Sequence, residues 1–380
     1  MTEFTNQILP LKKRWNLLIC GPIEHAGYVQ ARNVEGGLHR KSSFDCTSTI
    51  AHNIERWGNL FSTVKLVTWT NQAELIKPEL KALNIDIHLI EDPGRESSFC
   101  GDSRIRVATS TAAGTRLLLD KDSYTLRIRT DQSFDIGEML RCHEKNEKKI
   151  RRNQRQIKTR LPHISGLCFW LDRPYSLCNY AHASRTKDLL EFAEAQLNYR
   201  HASALTQAGW PEGDTIRKHL FSLMDQLQRQ GFRGHQCFPA IPKSITESIA
   251  EGDNIGIPWH TLKLWRFALR HLYSVASEQT MAGLWWKGEL YPHPCVFGNG
   301  MRFQKEWREC LKTDCAPIKQ YCGKMINNSR QAPWTFRAWY LHGKPSEVAG
   351  AAASSCSDLL NRFDHQSSRV QQEYEQHQRL

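Results

Sequence analysis

Residues 16–23 read Asn-Leu-Leu-Ile-Cys-Gly-Pro-Ile, an apolar run closed by Gly-Pro, and predict a buried strand. A polar stretch with paired Gly36 and Gly37 follows, and then a helix through about Trp57, capped by Asp45 or Ser48 in front and Gly58 behind. Residues 65–70 (KLVTWT) form a second strand, and 72–83 a helix that Pro78 kinks or restarts. Residues 85–90 (IDIHLI) are a third strand, ending in the turn Glu91-Asp92-Pro93-Gly94. A helix over 102–119 leads to a fourth strand at 124–129, which finishes at Thr130-Asp131. This alternation predicts an α/β fold, a mostly parallel sheet flanked by helices. Right-handed crossovers bring the strand ends to one edge, where open α/β sheets bind ligands, nucleotides above all. The residues delivered there are Gly21-Pro22-Ile23, Thr68-Trp69-Thr70, Asp92-Pro93-Gly94 and Arg129-Thr130-Asp131.

Composition bounds the setting. A 380-residue chain with 40% hydrophobic and 10% aromatic residues can fill a sizeable core, which excludes wholesale disorder. No apolar run approaches the roughly 20 residues that span a bilayer. Residues 17–23 follow three cations but lead to Glu24 and His25 rather than to a cleavage site. The expectation is a soluble, cytoplasmic protein. A net charge of +12 suits nucleotides, nucleic acid or an anionic membrane surface, or reflects a basic protein with no such partner. The twelve cysteines contain no C-x-x-C, and the spacing of Cys310, Cys315 and Cys322 matches no usual zinc pattern, so reduced thiols are expected.

The absence of G-x-G-x-x-G, of a P-loop and of a G-x-S-x-G elbow disfavours a dinucleotide oxidoreductase, a P-loop NTPase and an α/β-hydrolase. A sheet enzyme without a Gly-rich phosphate loop must offset a ligand diphosphate with a divalent cation on carboxylates or with Arg and Lys. Asp131, preceded by Arg127 and Arg129, either binds Mg²⁺ or Mn²⁺ or caps the next turn. Asp135 adds a second ligand or acts locally.

The succession C-G-P-I at 20–23, V-T-W-T at 67–70, E-D-P-G at 91–94 and Y-T-L-R-I-R-T-D at 124–131 resembles the WavE-type lipopolysaccharide-synthesis proteins. The intervening helix supplies Arg106, Ser110, Thr111 and Gly114 in the order of that family's Arg and Ser-Thr-x-x-Gly. Two weaker echoes follow, one over 174–190 and one at Ser277-Glu278-Gln279. Cys178-Asn179 stands where the family has Ser-Asp, Ser184 where it has Gly, and Val107 where it has Gln. These departures bear on catalysis more than on donor binding.

The resemblance implies a GT-A-like glycosyltransferase of bacterial surface-polysaccharide synthesis, cytoplasmic or peripheral at the inner membrane face. It implies donor binding by Gly21, Pro22, Ile23, Trp69, Asp92, Arg106, Arg129 and Asp131, with Asp131 carrying Mn²⁺ or Mg²⁺ on the donor diphosphate. The acceptor would be a glycan or lipid-linked glycan, met by Asn179, Trp285 and Trp286. Glu278, Asp188 and His182 are the candidates for the catalytic base. The chain then divides into a nucleotide-sugar half over 1–147, a basic connector over 148–160, an acceptor-side half over 161–345 that completes the domain and is mainly helical, and a helical or frayed tail over 346–380. The connector holds seven Lys or Arg with almost no apolar face, and is a solvated helix or loop, or a contact for an anionic partner. Residues 215–230 predict an amphipathic core helix. Two alternatives stand beside this reading: a glycosyltransferase that modifies nucleic acid, and a non-catalytic nucleotide-sugar or glycan binder.

Overall fold

The computed structural model describes residues 11, 13–32, 38–83, 85–94, 104–120, 122–157, 160–170, 177–178, 180–198, 265, 267–281, 284–287, 289–290 and 301–311. The predicted helix at 215–230, the tail and Asn179 lie outside them.

Strand β1 (Trp15–Cys20) is buried along its whole length, as a central strand covered on both faces must be. It pairs in parallel with β4 (Thr63–Trp69) on one side and β6 (Tyr124–Arg129) on the other, and β4 pairs in parallel with β5 (Asp86–Ile90). Between β1 and β4 lie the hairpin β2–β3 (Glu24–Arg32, Leu38–Asp45) and helix α1 (Thr47–Trp57). The hairpin occupies the polar stretch that the sequence left without a strand. Pro78 restarts the chain after a 3-10 turn (Thr70–Leu75), opening the short helix α2 (Pro78–Ala82).

Helix α3 (Arg104–Leu117) leads to β6 and the two-residue β7 (Gln132–Ser133). Helix α4 (Ile136–Gln156), strands β8 (Ile164–Gly166), β9 (Phe169–Trp170) and β10 (Ala181–Arg185), and helix α5 (Thr186–Asn198) follow. Past residue 264 come β11 (Tyr273–Val275), β12 (Trp285–Trp286), β13 (Glu289–Leu290), β14 (Met301–Arg302) and the helices Glu278–Met281 and Gln304–Cys310. The main sheet has the order β11-β8-β10-β6-β1-β4-β5, with β10 its one antiparallel strand. The second half of the chain thus contributes three strands to the sheet begun by the first.

Trp15, Leu17 and Ile19 face α1 and α4 in the larger core cluster, while Leu18, Cys20 and Val67 face α3 in the smaller one. Helix α3 lies close to the sheet because Gly114 has no side chain. A Cβ there would come within 2.3 Å of Leu18 Cδ1 and 2.8 Å of Val67 Cγ2. The second half of α4 covers residues 148–156 and is not wholly solvated. Beside the buried Ile150, amides make up its inward face: Asn146 donates to the Val275 carbonyl, Asn153 to that of Arg270, and Gln154 to those of Leu161 and His271. Hydrogen bonding lets a face with few apolar residues lie buried without orphaned polar groups. Asp135 acts locally, capping α4 by accepting from the Glu138 amide at 2.8 Å.

Gly114→Val is expected to cost about 3 kcal/mol, the upper end for overpacking, because the Leu18 and Val67 side chains beneath α3 are fully buried and have no room to move aside. Gly58→Ala, whose Cβ would meet its nearest neighbour at an ordinary 3.6 Å, should leave the urea midpoint unchanged. Equal midpoints for the two variants would contradict this account of α3.

Candidate functional site

Strand order reverses direction at β1, with β4 and β5 built to one side and β6 to the other. Side chains from the carboxyl ends of the strands on both sides open a crevice at such a switch point. The cleft has a volume of about 250 Å³, and its lining includes Gly21, Pro22, Trp69, Asp92, Arg106, Arg129 and Asp131. Seven of the eight sequence-derived donor residues therefore meet in one place. Ile23, the eighth, is in the core with 1% exposure, and its amide donates to Gln72 Oε1 at 2.6 Å.

Local chemistry sets each position. Gly21 has φ +142°, and a Cβ there would stand 2.6 Å from Thr130 Oγ1, so no other residue fits between β1 and β6. Gln72 clamps the base of the β2–β3 hairpin. Its Oε1 accepts from the Ile23 and Glu24 amides, and its Nε2 donates to the Glu24 carbonyl. Asp92 turns its loop by accepting from the Gly94 amide, and takes a two-point contact from Arg106 through Nε (2.6 Å) and Nη2.

Asp131 is 1% exposed. Arg129 donates Nε to Oδ1 at 2.9 Å and Nη2 to Oδ2 at 2.8 Å. Trp286 Nε1 donates to Oδ2 at 3.1 Å, His25 Nε2 lies 3.3 Å from the same oxygen, and the Lys287 amide donates to the Asp131 carbonyl. Burial alone would raise this carboxyl, but the Arg129 charge and the contacts from His25 and Arg129 outweigh it and hold the group well below the usual carboxylate range.

The expected divalent cation does not fit this arrangement. Both oxygens already accept hydrogen bonds, one from a guanidinium and the other from a guanidinium and an indole. A dication on the same carboxylate would have to displace these donors and stand beside the Arg129 charge. The other carboxylate in the cleft expected to serve the donor, Asp92, is held by Arg106 in the same way. Among the described residues, His143, Glu147 and His163 form a separate group within metal-binding reach. Their two imidazoles are stacked 4.7 Å apart at 14°, so their in-plane lone pairs cannot converge on one ion, and Glu147 is held by Lys13, Arg151 and Tyr124.

Trp286 is brought next to the cleft through its hydrogen bond to Asp131. Strand β12 pairs with β7, immediately after Asp131, and leaves Trp285 46% exposed at the rim. The three candidate bases are not brought to the cleft lining. His182 is buried on β10 opposite Arg127, and burial together with the Arg127 charge pulls its pKa down to about 3. Asp188 accepts from the His163 amide at 3.1 Å, and burial raises its pKa. Glu278 is exposed at the start of its short helix.

Arg127, His25, Asn71 and Gln72 line the cleft but were absent from the sequence-derived set. Arg127 had a signal: on a strand it shares a face with Arg129, two residues on. Burial lowers its pKa, and the Asp131 carboxylate works against that shift.

No family model and no curated protein matches the chain. Among solved structures it is similar to the 4-diphosphocytidyl-2C-methyl-D-erythritol synthase of Anaerococcus prevotii, with 14% identity over 50% of this chain and 78% of that one and a TM-score of 0.26. A likeness at that level bears on neither substrate nor reaction.

His182 predicts an acid-sensitive fold. Its folded pKa lies near 3 and its unfolded value near 6.5, so below about pH 6.5 the unfolded chain binds the extra proton. Stability attributable to this group is full above that pH and falls as pH drops towards 3, by on the order of 3 kcal/mol at pH 4. His182→Gln should flatten the urea midpoint between pH 4 and 6.5, and an unchanged slope would contradict a neutral buried imidazole.

Proposed function

We propose that the protein is a glycosyltransferase of the GT-A-like kind, which holds a nucleotide-sugar donor in the cleft at the β1/β6 switch point. The observation that carries this reading is the convergence there of Gly21-Pro22, Trp69, Asp92 with Arg106, and Arg129 with Asp131, drawn from four separate strand ends and one helix. Those same segments carry the resemblance to the WavE-type proteins, which supports a glycan or lipid-linked acceptor in bacterial surface-polysaccharide synthesis.

In this reading Gly21-Pro22 lets backbone approach the base and ribose, and the guanidiniums face the diphosphate. The charge that develops on the leaving nucleotide is stabilised by donors already in place. Trp285 and Trp286 offer the acceptor sugar an apolar face beside the donor. No described helix is long and apolar enough to cross a membrane. Lys145, Lys148, Arg152 and Arg155 lie exposed along α4 and supply a cationic face for an anionic headgroup surface.

A second reading, donor binding without transfer, is favoured by the position of His182, Asp188 and Glu278 away from the cleft lining. Thermal unfolding with UDP-, GDP-, CMP- and dTDP-sugars tests both. A ligand that binds only the folded chain adds about 2.7 kcal/mol at a hundred times its Kd. One nucleotide class should raise Tm, and Arg106→Ala should roughly halve that rise. Donor hydrolysis or transfer by the same preparation supports the enzyme, while a Tm rise with neither supports the binder. A Tm insensitive to every nucleotide sugar would contradict both.

A further inference from the structure

Two guanidiniums line the cleft in the same pose. Arg106 grips Asp92, and Arg129 grips Asp131, each through Nε and Nη2. In both pairs the cation is the more exposed partner, with side-chain exposures of 27% against 16% and of 24% against 1%. The carboxylates thus stand behind the arginines. A guanidinium carries five N–H donors, and a two-point contact through Nε and Nη2 leaves its Nη1 edge for another acceptor. Arg127, on the same strand face as Arg129, borders the same cleft but is buried, with 1% exposure, and adds positive charge from behind.

We infer that the donor's diphosphate is held by the outward edges of Arg106 and Arg129, with no divalent cation on Asp131. The inference rests on the nucleotide-sugar reading of the cleft and assigns the neutralising charge within it. Asp131 is then a positioning residue. Buried, with Arg129, Trp286 and His25 on its two oxygens, it fixes the direction of the Arg129 fork, and Asp92 does the same for Arg106. Planar guanidiniums match phosphate oxygens in two-point geometry, and held in advance they lose little freedom when the anion arrives.

The test is calorimetric titration of UDP, GDP, CDP and dTDP into the full chain, once with EDTA and once with excess Mn²⁺. One diphosphate is expected to bind in EDTA, with a Kd within about three-fold of its value in Mn²⁺. Arg106 is half-buried at the mouth, so Arg106→Gln should fold normally and weaken metal-free binding by about ten-fold, the worth of one charge-assisted contact. Asp131→Asn keeps the shape but loosens the Arg129 fork, and should weaken metal-free binding without making it depend on Mn²⁺. Binding that appears only with Mn²⁺ and is lost in Asp131→Asn would overturn the inference while leaving the nucleotide reading intact. Unchanged affinity in Arg106→Gln would also overturn it. Failure of all four diphosphates to bind in either buffer would overturn the nucleotide reading, and the inference with it.

Discussion

The buried carboxylate of Asp131 ties together parts of the chain that otherwise share little. Arg129 reaches it from the end of β6, His25 from the hairpin that follows β1, and Trp286 from β12, 155 residues away in sequence. Removing any partner leaves a buried charge short of a hydrogen bond, which makes the arrangement specific even where its net contribution to stability is small. The node stands at the carboxyl end of the central strands, so its geometry is also the geometry of the cleft.

The sheet determines what the node can do. Parallel strands deliver polar ends to one edge, and the reversal of direction at β1 separates the helices that would otherwise close it. Gly21 allows the backbone to pass Thr130 at a distance no side chain could share, and Gly114 lets α3 approach until Arg106 reaches Asp92. Gly21 and Gly114 of the resemblance thus have packing reasons, and Gly94 a backbone one (φ +77°), whereas its arginines and aspartates line the cleft. Arg129 also lies 5.7 Å from the Tyr180 ring, and Tyr180 is in contact with Trp286, so the indole and the guanidinium on Asp131 share an aromatic neighbour.

Much of this was legible in the sequence because strand ends follow from hydrophobic runs closed by Gly, Pro or Asp. The four strands of the first half and the restart at Pro78 emerged where period and turn chemistry placed them. The β2–β3 hairpin did not, since its residues lack the apolar alternation that marks a half-buried strand. The second half of α4 looked solvated because Asn153 and Gln154, with Ile150 the one aliphatic side chain among them, bury its inner face. The partner of Asp131 on β12 depends on a contact between distant segments, which no local pattern encodes. The lone carboxylate after a strand left metal binding and capping open for Asp131, the resemblance implied the metal, and the carboxylate's other partners only become visible once the chain is folded.

The most direct measurement is a crystal structure of the protein grown with the nucleotide sugar that stabilises it, in the presence of Mn²⁺. The account predicts the diphosphate within hydrogen-bond distance of Arg106 and Arg129, and Asp131 still bound to Arg129 and Trp286. A manganese ion on Asp131 bridging the phosphates, or a nucleotide bound away from the β1/β6 cleft, would contradict it.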